Sequence, residues 1–105
     1  MYISPEGKKE VTIQLIIETV AEHYNLSTEQ IISSKRDECL VKPRHIAMYL
    51  CDDMIKTPVS LIGAAFGNRN HSTVIYARNK MLKNLAVDKK LCAEVEVIKK
   101  KINPN

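Results

Sequence analysis

Residues 62–74 have the sequence IGAAFGNRNHSTV, and this stretch decides the fold because it holds a turn between two helical segments. Gly67 can adopt the positive φ that ends a helix. The four short polar residues 70–73 can cap the start of the next helix. We therefore expect helices over residues 58–66 and about 70–84, joined by a tight turn, which is the arrangement of a helix-turn-helix.

Apolar residues recur at helical spacing on both sides of this turn. The expected helices cover about residues 12–25, 27–32, 43–55, 58–66 and 70–84, and a last one begins after residue 88. Thr12, Ser27 and Asp88 are the expected caps, and Ser27 opens a capping box. Residues 33–42 show no period and are expected to form a loop, with Pro43 as the first residue of the next helix.

Composition favours a single all-helical unit. A chain of 105 residues is long enough for one domain, and an apolar fraction of 45% excludes a disordered tail. We expect an all-α fold of about six helices, with a flexible N-terminal segment at residues 1–10 and one helical domain at residues 11–103. The N-terminus is polar and no long apolar run occurs, so we expect a cytoplasmic protein with no membrane partner.

Basic residues are concentrated in the second half of the chain. Residues 1–53 hold six Lys or Arg and nine Asp or Glu, whereas residues 54–105 hold ten and three. A basic half beside an acidic half is typical of a protein with one face that meets a polyanion. Charge alone fits an ordinary solvated surface equally well, so the interpretation depends on the polar residues at the turn.

Residues 70–73 have the composition of the first turn of a DNA recognition helix. All four side chains donate or accept hydrogen bonds, as side chains that meet base edges in the major groove must do. The helix N-terminus offers free N–H groups to a phosphate, and Arg69 can add a charge-assisted contact. Capping explains one such residue but not four in succession. The stretch therefore predicts binding to double-stranded DNA.

The same stretch closely resembles the signature of the C-terminal DNA-binding domain of the bacterial replication initiator DnaA, in which a Gly-Gly-Arg-Asp-His-Thr-Thr-Val core follows Ile-Gly-x-x-Phe. TVAEHY at residues 19–24, SKR at 34–36 and KPRHIAMYL at 42–50 are similar to that family in the same order and spacing. The resemblance covers roughly residues 11–103. It implies the Trp-repressor-like architecture of domain IV of that family.

The resemblance also implies the roles of individual residues. It places Arg36 on an arginine that enters the minor groove, Arg44 on a phosphate-binding arginine, and residues 69–73 on major-groove and phosphate contacts. The full set of expected DNA-binding residues is Arg36, Lys42, Arg44, His45, Ser60, Arg69, Asn70, His71, Ser72, Thr73 and Lys80. The expected partners are double-stranded DNA, bound by a monomer, and replication proteins; no cofactor or metal is expected.

Five residues depart from the family pattern. Asn70 stands where the family usually has Asp, which only accepts and suits the cytosine amino group, whereas an Asn amide also donates and suits adenine. Ser72 replaces a Thr, and Asn68 replaces a glycine in the turn. Glu38 and Asp52 stand where the family is usually basic. We therefore expect a site similar to a DnaA box, with altered base preference and weaker affinity.

Catalysis is the first alternative, and the sequence argues against it. No nucleophile elbow, metal-ligand pair or phosphate loop accompanies His23, His45 or His71. The three cysteines lie 12 and 41 residues apart, which matches no common zinc or redox spacing.

Two further alternatives remain open. In the first alternative, the chain is a protein-interaction module of replication or transcription regulation that has lost DNA binding. In the second, it is a fragment of a longer initiator. We favour a free-standing relative over a fragment because the departures fall on base-reading positions.

Overall fold

The structure, a computed structural model, describes residues 10–104. That part of the chain contains six α-helices and no strands: α1 (Ile13–His23), α2 (Thr28–Ile32), α3 (Glu38–Ile55), α4 (Val59–Ala65), α5 (His71–Val87) and α6 (Lys89–Ile102). The predicted all-α class is confirmed. Apart from Glu10, the expected flexible segment at residues 1–10 lies outside the described residues. None of these helices is long and apolar enough to cross a membrane.

The predicted caps of three helices are confirmed. The Thr12 hydroxyl accepts a hydrogen bond from the N–H of Leu15 at 3.1 Å and so begins α1. Ser27 and Gln30 form a complete capping box at α2, in which each side chain accepts from the backbone N–H of the other. Asp88 caps α6 in the same way. Each cap satisfies N–H groups that have no partner inside their helix.

The predicted start of α3 is wrong, because this helix begins at Glu38 and Pro43 lies inside it. Its first turn closes when the N–H of Leu40 donates to the carbonyl of Asp37 at 2.8 Å. A proline at this place removes one N–H donor from the helix, and the burial of the Leu40 and Pro43 side chains offsets that loss. The loop between α2 and α3 is therefore shortened to residues 33–37.

The ends of α4 and α5 differ slightly from the prediction. Pro58, the expected first residue of α4, is its N-cap, and no side-chain hydrogen bond caps this helix. Thr57, the residue before it, is buried. At the other side of the turn, α5 continues to Val87 because Leu85 packs partly buried against the core and so extends its inner face.

Helix α3 is the centre of the molecule and packs against α1, α2, α4 and α5. Its Ile46, Ala47 and Leu50 side chains are fully buried, together with Phe66 at the end of α4 and Val74 on the inner face of α5. Burial of such large apolar side chains is the main contribution that holds these helices together. The two helices of the predicted helix-turn-helix are thus fixed to the core on both sides of the turn.

The close approach of α4 to the turn before α5 requires glycine at two positions, one inside α4 and one in the turn. A Cβ atom at Gly63 would lie 2.1 Å from the carbonyl oxygen of Arg69, whose N–H donates to the carbonyl of Gly63 at 2.8 Å. Gly67 has a φ of 76°, and a Cβ there would lie 2.6 Å from the carbonyl oxygen of Ile32. Asn68 also has a positive φ, 59°, which Asn adopts more easily than most residues. This tight path brings the start of α5 close to α4.

Candidate nucleic-acid interface

The start of α5 exposes four consecutive polar side chains, residues 70–73, which we call the polar turn. Asn70 is the N-cap, and its side chain accepts from the N–H of Thr73 at 3.0 Å. Ser60 of α4 and Asn68 of the connecting turn border the same shallow depression as the polar turn. The structure therefore brings together the predicted site residues Ser60, Asn70, His71, Ser72 and Thr73 on one exposed surface.

The Asn70 side-chain oxygen is fully used inside the protein. Besides the N–H of Thr73, its Oδ1 accepts from the hydroxyl of Ser72 at 2.9 Å and from the hydroxyl of Thr73 at 3.2 Å. An adenine recognised through its N6 and N7 atoms would need this same oxygen as an acceptor. In this structure the helix cap already takes that oxygen, so the expected contact with adenine would require the cap to release it.

Arg36 lies exposed in the loop between α2 and α3, as the sequence predicts. A second depression runs from this loop to the outer face of α5, and its lining includes Ser34, Arg36, His45, Thr73, Tyr76 and Lys80. Its volume is about 490 Å³. The exposed Arg36 and Thr73, the last residue of the polar turn, thus border one concave surface.

Arg44, in contrast, lies buried at only 4% exposure. Its guanidinium donates to the carbonyl of Ile31 at 2.6 Å, to that of Lys35 at 2.9 Å and to that of Gln30 at 3.3 Å. Burial lowers the pKa of this guanidinium, and the nearby charge of Arg69 lowers it further. The predicted role as a phosphate-binding arginine stays a prediction, and in this structure the guanidinium donates mainly to the backbone.

Arg69 donates to other carbonyls of the same segment and to one at the end of α4. Its guanidinium donates to the carbonyl of Ile32 at 3.2 Å and also to those of Ser33 and Phe66. Burial lowers its pKa as well. We call Arg44 and Arg69, with the carbonyls of residues 30–35, the arginine anchor. The anchor ties the end of α2 and the Arg36 loop to α3 and to the turn before α5.

The predicted residues His45 and Lys80 meet at an aromatic ring that the sequence analysis missed. The rings of His45 and Tyr76 stand edge to face at 6.2 Å, and Lys80 Nζ lies 5.8 Å from the Tyr76 ring centroid. Tyr76 is 59% exposed. Its spacing from Ser72 and Thr73 along α5 could have shown that it shares their face of the helix. Burial lowers the pKa of His45, and the charges of Lys80, Arg44 and Arg69 lower it further.

Basic side chains near Arg36 and on α5 lie close to carboxylates, which partly offset their positive charge. Exposed Lys42 lies 3.4 Å from the carboxylate of Glu94 and borders the same groove as Arg36. Exposed Glu38 borders this groove too. Asp52, the other acidic departure, lies 3.8 Å from Arg78 on α5. No group of three or more His, Cys, Asp or Glu within residues 10–104 is placed to hold a metal ion.

Comparison with known proteins agrees with this geometry. A family model described as the bacterial dnaA protein helix-turn-helix matches residues 13–81. The chain is 45% identical over 102 residues to the chromosomal replication initiator protein DnaA of Lachnoclostridium phytofermentans, and 39% identical over 97 residues to that of Geobacter sp. strain M21. These alignments cover 97% and 92% of the chain but 22% and 21% of the relatives, so the chain spans about a fifth of their length.

A solved structure has the same fold. The crystal structure of a DNA replication initiation factor matches with a TM-score of 0.77 at 30% identity, over 86% of this chain and 27% of that chain. The predicted architecture is therefore confirmed, and the region that the family model matches is a helix-turn-helix, as predicted. With the family model covering residues 13–81 and both kinds of relative in agreement, the chain belongs to the helix-turn-helix family of bacterial DnaA proteins.

Proposed function

We propose that this chain binds double-stranded DNA at specific sequences, with α5 in the major groove and Arg36 in the neighbouring minor groove. The observation that carries the proposal is the depression that Arg36 and Thr73 border together, with the other residues of the polar turn exposed next to Thr73. The first turn of a recognition helix meets base edges in this way, and an arginine on an exposed loop fits a narrow, negative minor groove.

The arginine anchor supports the same proposal indirectly. Because Arg44 and Arg69 hold the loop carbonyls against α3 and the turn, the distance between Arg36 and the polar turn is set by the protein. Two contacts in adjacent grooves favour such a fixed distance, because a mobile loop would have to be ordered on binding and that ordering costs free energy.

The biological setting follows from the relatives, which are named as chromosomal replication initiators. We place the chain in replication initiation or its control, as a monomer in the bacterial cytoplasm, on a site similar to a DnaA box. Its base preference differs from that of the family, because Asn70 and Ser72 stand at base-reading positions. Replication proteins are the further partners that this setting suggests.

Selection of bound duplexes from a randomised pool tests the proposal. We expect an enriched sequence of the DnaA-box kind with at least one changed position, and Arg36→Ala should weaken binding to it by about tenfold or more. Lys100→Ala is the matched control, because this exposed lysine on α6 borders neither depression and should leave affinity within about twofold.

Three outcomes would contradict parts of the proposal. A folded chain that binds no duplex DNA would favour the alternative, a protein-interaction module that has lost DNA binding. Equal affinity for all duplexes would exclude base reading. An enriched sequence identical to the usual initiator box would exclude the change in preference.

A further inference from the structure

We infer that Asn70 acts as a hydrogen-bond donor to the base edge and selects guanine at the position it meets, while it disfavours cytosine. This inference rests on the proposed function and deepens it, because it assigns a hydrogen-bond polarity to each side chain of the polar turn. It depends on how the cap of α5 orients the Asn70 amide.

The cap determines which end of the amide faces outward. A backbone N–H can only donate, so the Thr73 N–H at 3.0 Å requires the oxygen and not the nitrogen of Asn70 at this place. The hydroxyls of Ser72 and Thr73 donate to the same oxygen. An amide oxygen has two lone pairs, and three donors saturate it.

The amide nitrogen is left for a ligand. Asn70 is exposed, and its Nδ2 makes no hydrogen bond to any residue within 10–104. This nitrogen carries two N–H donors and no acceptor. In the major groove it can therefore bind only base acceptors, and guanine presents two of them, O6 and N7, side by side. Adenine and thymine present one acceptor each, and cytosine presents only its N4 amino donor.

The two hydroxyls have the opposite polarity. Because Ser72 and Thr73 both turn their hydroxyl protons toward the Asn70 oxygen, the lone pairs of these two oxygens are left for the solvent side. They can accept from the amino groups of adenine or cytosine. The polar turn thus presents a donor at Asn70 and acceptors at Ser72 and Thr73.

The test compares the wild-type chain with Asn70→Asp in the same duplex selection. Aspartate caps a helix as well as asparagine does, so the variant keeps α5 and the fold. Its second oxygen replaces the amide nitrogen and turns the outward donor into an acceptor. We expect wild type to enrich guanine at one position of its site, and the variant to enrich cytosine at that position.

Affinity measurements give the expected size of the effect. With duplexes that differ only at this base pair, the guanine-to-cytosine change should weaken wild-type binding by about 10- to 100-fold. The same change should strengthen binding of the Asn70→Asp variant. Thermal unfolding of both proteins, expected to agree within a few degrees, is the control for the fold.

The outcomes separate this inference from the proposed function. If both proteins fold and neither binds duplex DNA, the proposed function fails and the inference with it. If both bind sequence-specifically but Asn70→Asp leaves every enriched base unchanged, the inference is overturned while DNA binding stands. Enrichment of cytosine by the wild-type chain at the position that Asn70→Asp alters would also overturn it.

Discussion

The polar turn and the arginine anchor are neighbouring regions that use polar side chains in opposite ways. In the polar turn, residues 70–73 are all exposed, and their contacts with one another leave outward donors and acceptors free. In the anchor, Arg44 and Arg69 spend their guanidinium donors on backbone carbonyls at the end of α2 and in the adjoining loop. Both regions carry residues that the sequence predicts to contact DNA.

The difference teaches that a charged residue in a predicted binding motif can hold the backbone of that motif in place. Uncapped carbonyls at the end of a short helix need donors, and an arginine satisfies several of them at once. The anchor keeps the loop of Arg36 at a set place beside α5. We therefore expect the two regions to respond differently to mutation: the anchor through stability, the polar turn through base preference.

The largest expected effect comes from a substitution that disturbs the polar turn and the arginine anchor together. Gly63→Ala should lower the free energy of unfolding by about 3 kcal/mol or more, because the new Cβ would lie 2.1 Å from the backbone oxygen of Arg69. Chemical denaturation measures this loss. Ala64→Gly is the control, an exposed position on the same helix, where we expect a cost of about 1 kcal/mol. Equal costs at the two positions would contradict the close approach at the turn.

The second prediction isolates the anchor. Arg44→Lys should lower the free energy of unfolding by about 2 to 3 kcal/mol although the charge is kept, because one ammonium group cannot reach the carbonyls of both Ile31 and Lys35. Arg36→Lys, the matched change on the exposed loop, should leave stability within about 0.5 kcal/mol. If Arg44→Lys instead weakened only DNA affinity, Arg44 would be a phosphate contact after all.

The third prediction concerns the charges at the edge of the concave surface. Log affinity for duplex DNA should fall with log salt concentration by about 0.9 for each phosphate contact. Lys80→Ala should make this slope shallower by about one contact and weaken binding to all sequences alike. Lys100→Ala, away from the surface, should leave the slope unchanged. A slope that stays the same in Lys80→Ala would remove Lys80 from the interface.

The smallest expected effect comes from His45, which lies between the two regions. Its pKa in the folded chain is lowered by burial and by the charges of Lys80 and Arg44, below the unfolded value of about 6.5. The unfolded chain therefore takes up a proton first as the pH falls, so this stabilising contribution is present above about pH 6.5 and lost below it. Between pH 7 and 5.5 the loss should be under about 1 kcal/mol, since the ring is partly exposed.

The matched variant for this pH effect is His45→Gln. Denaturation of both proteins at each pH measures the difference, and the variant should lose less stability on acidification than the wild-type chain. An identical pH dependence would show that His45 does not couple to folding.

Local rules were enough for most of the helix boundaries. Thr12, Ser27 and Asp88 cap their helices as predicted, because a cap depends on a side chain and an N–H three residues further along. The start of α3 could not be predicted in this way. Pro43 looks like a first residue by local rules, but burial of Leu40 extends the helix before it, and burial depends on residues distant in the chain.

The features of the candidate site also separate into those that local rules predict and those that depend on how the helices pack. The sequence by itself determined the helical class, the turn at Gly67 and the exposed polar run that begins α5, since periodicity, backbone freedom and capping act within a few residues. Only the tertiary structure decided that Arg44 and Arg69 donate to backbone carbonyls at the end of α2 and in the loop that follows it. The hydrogen-bond partners of these two arginines lie up to 37 residues away in the chain, and they come within reach only after the helices have packed together.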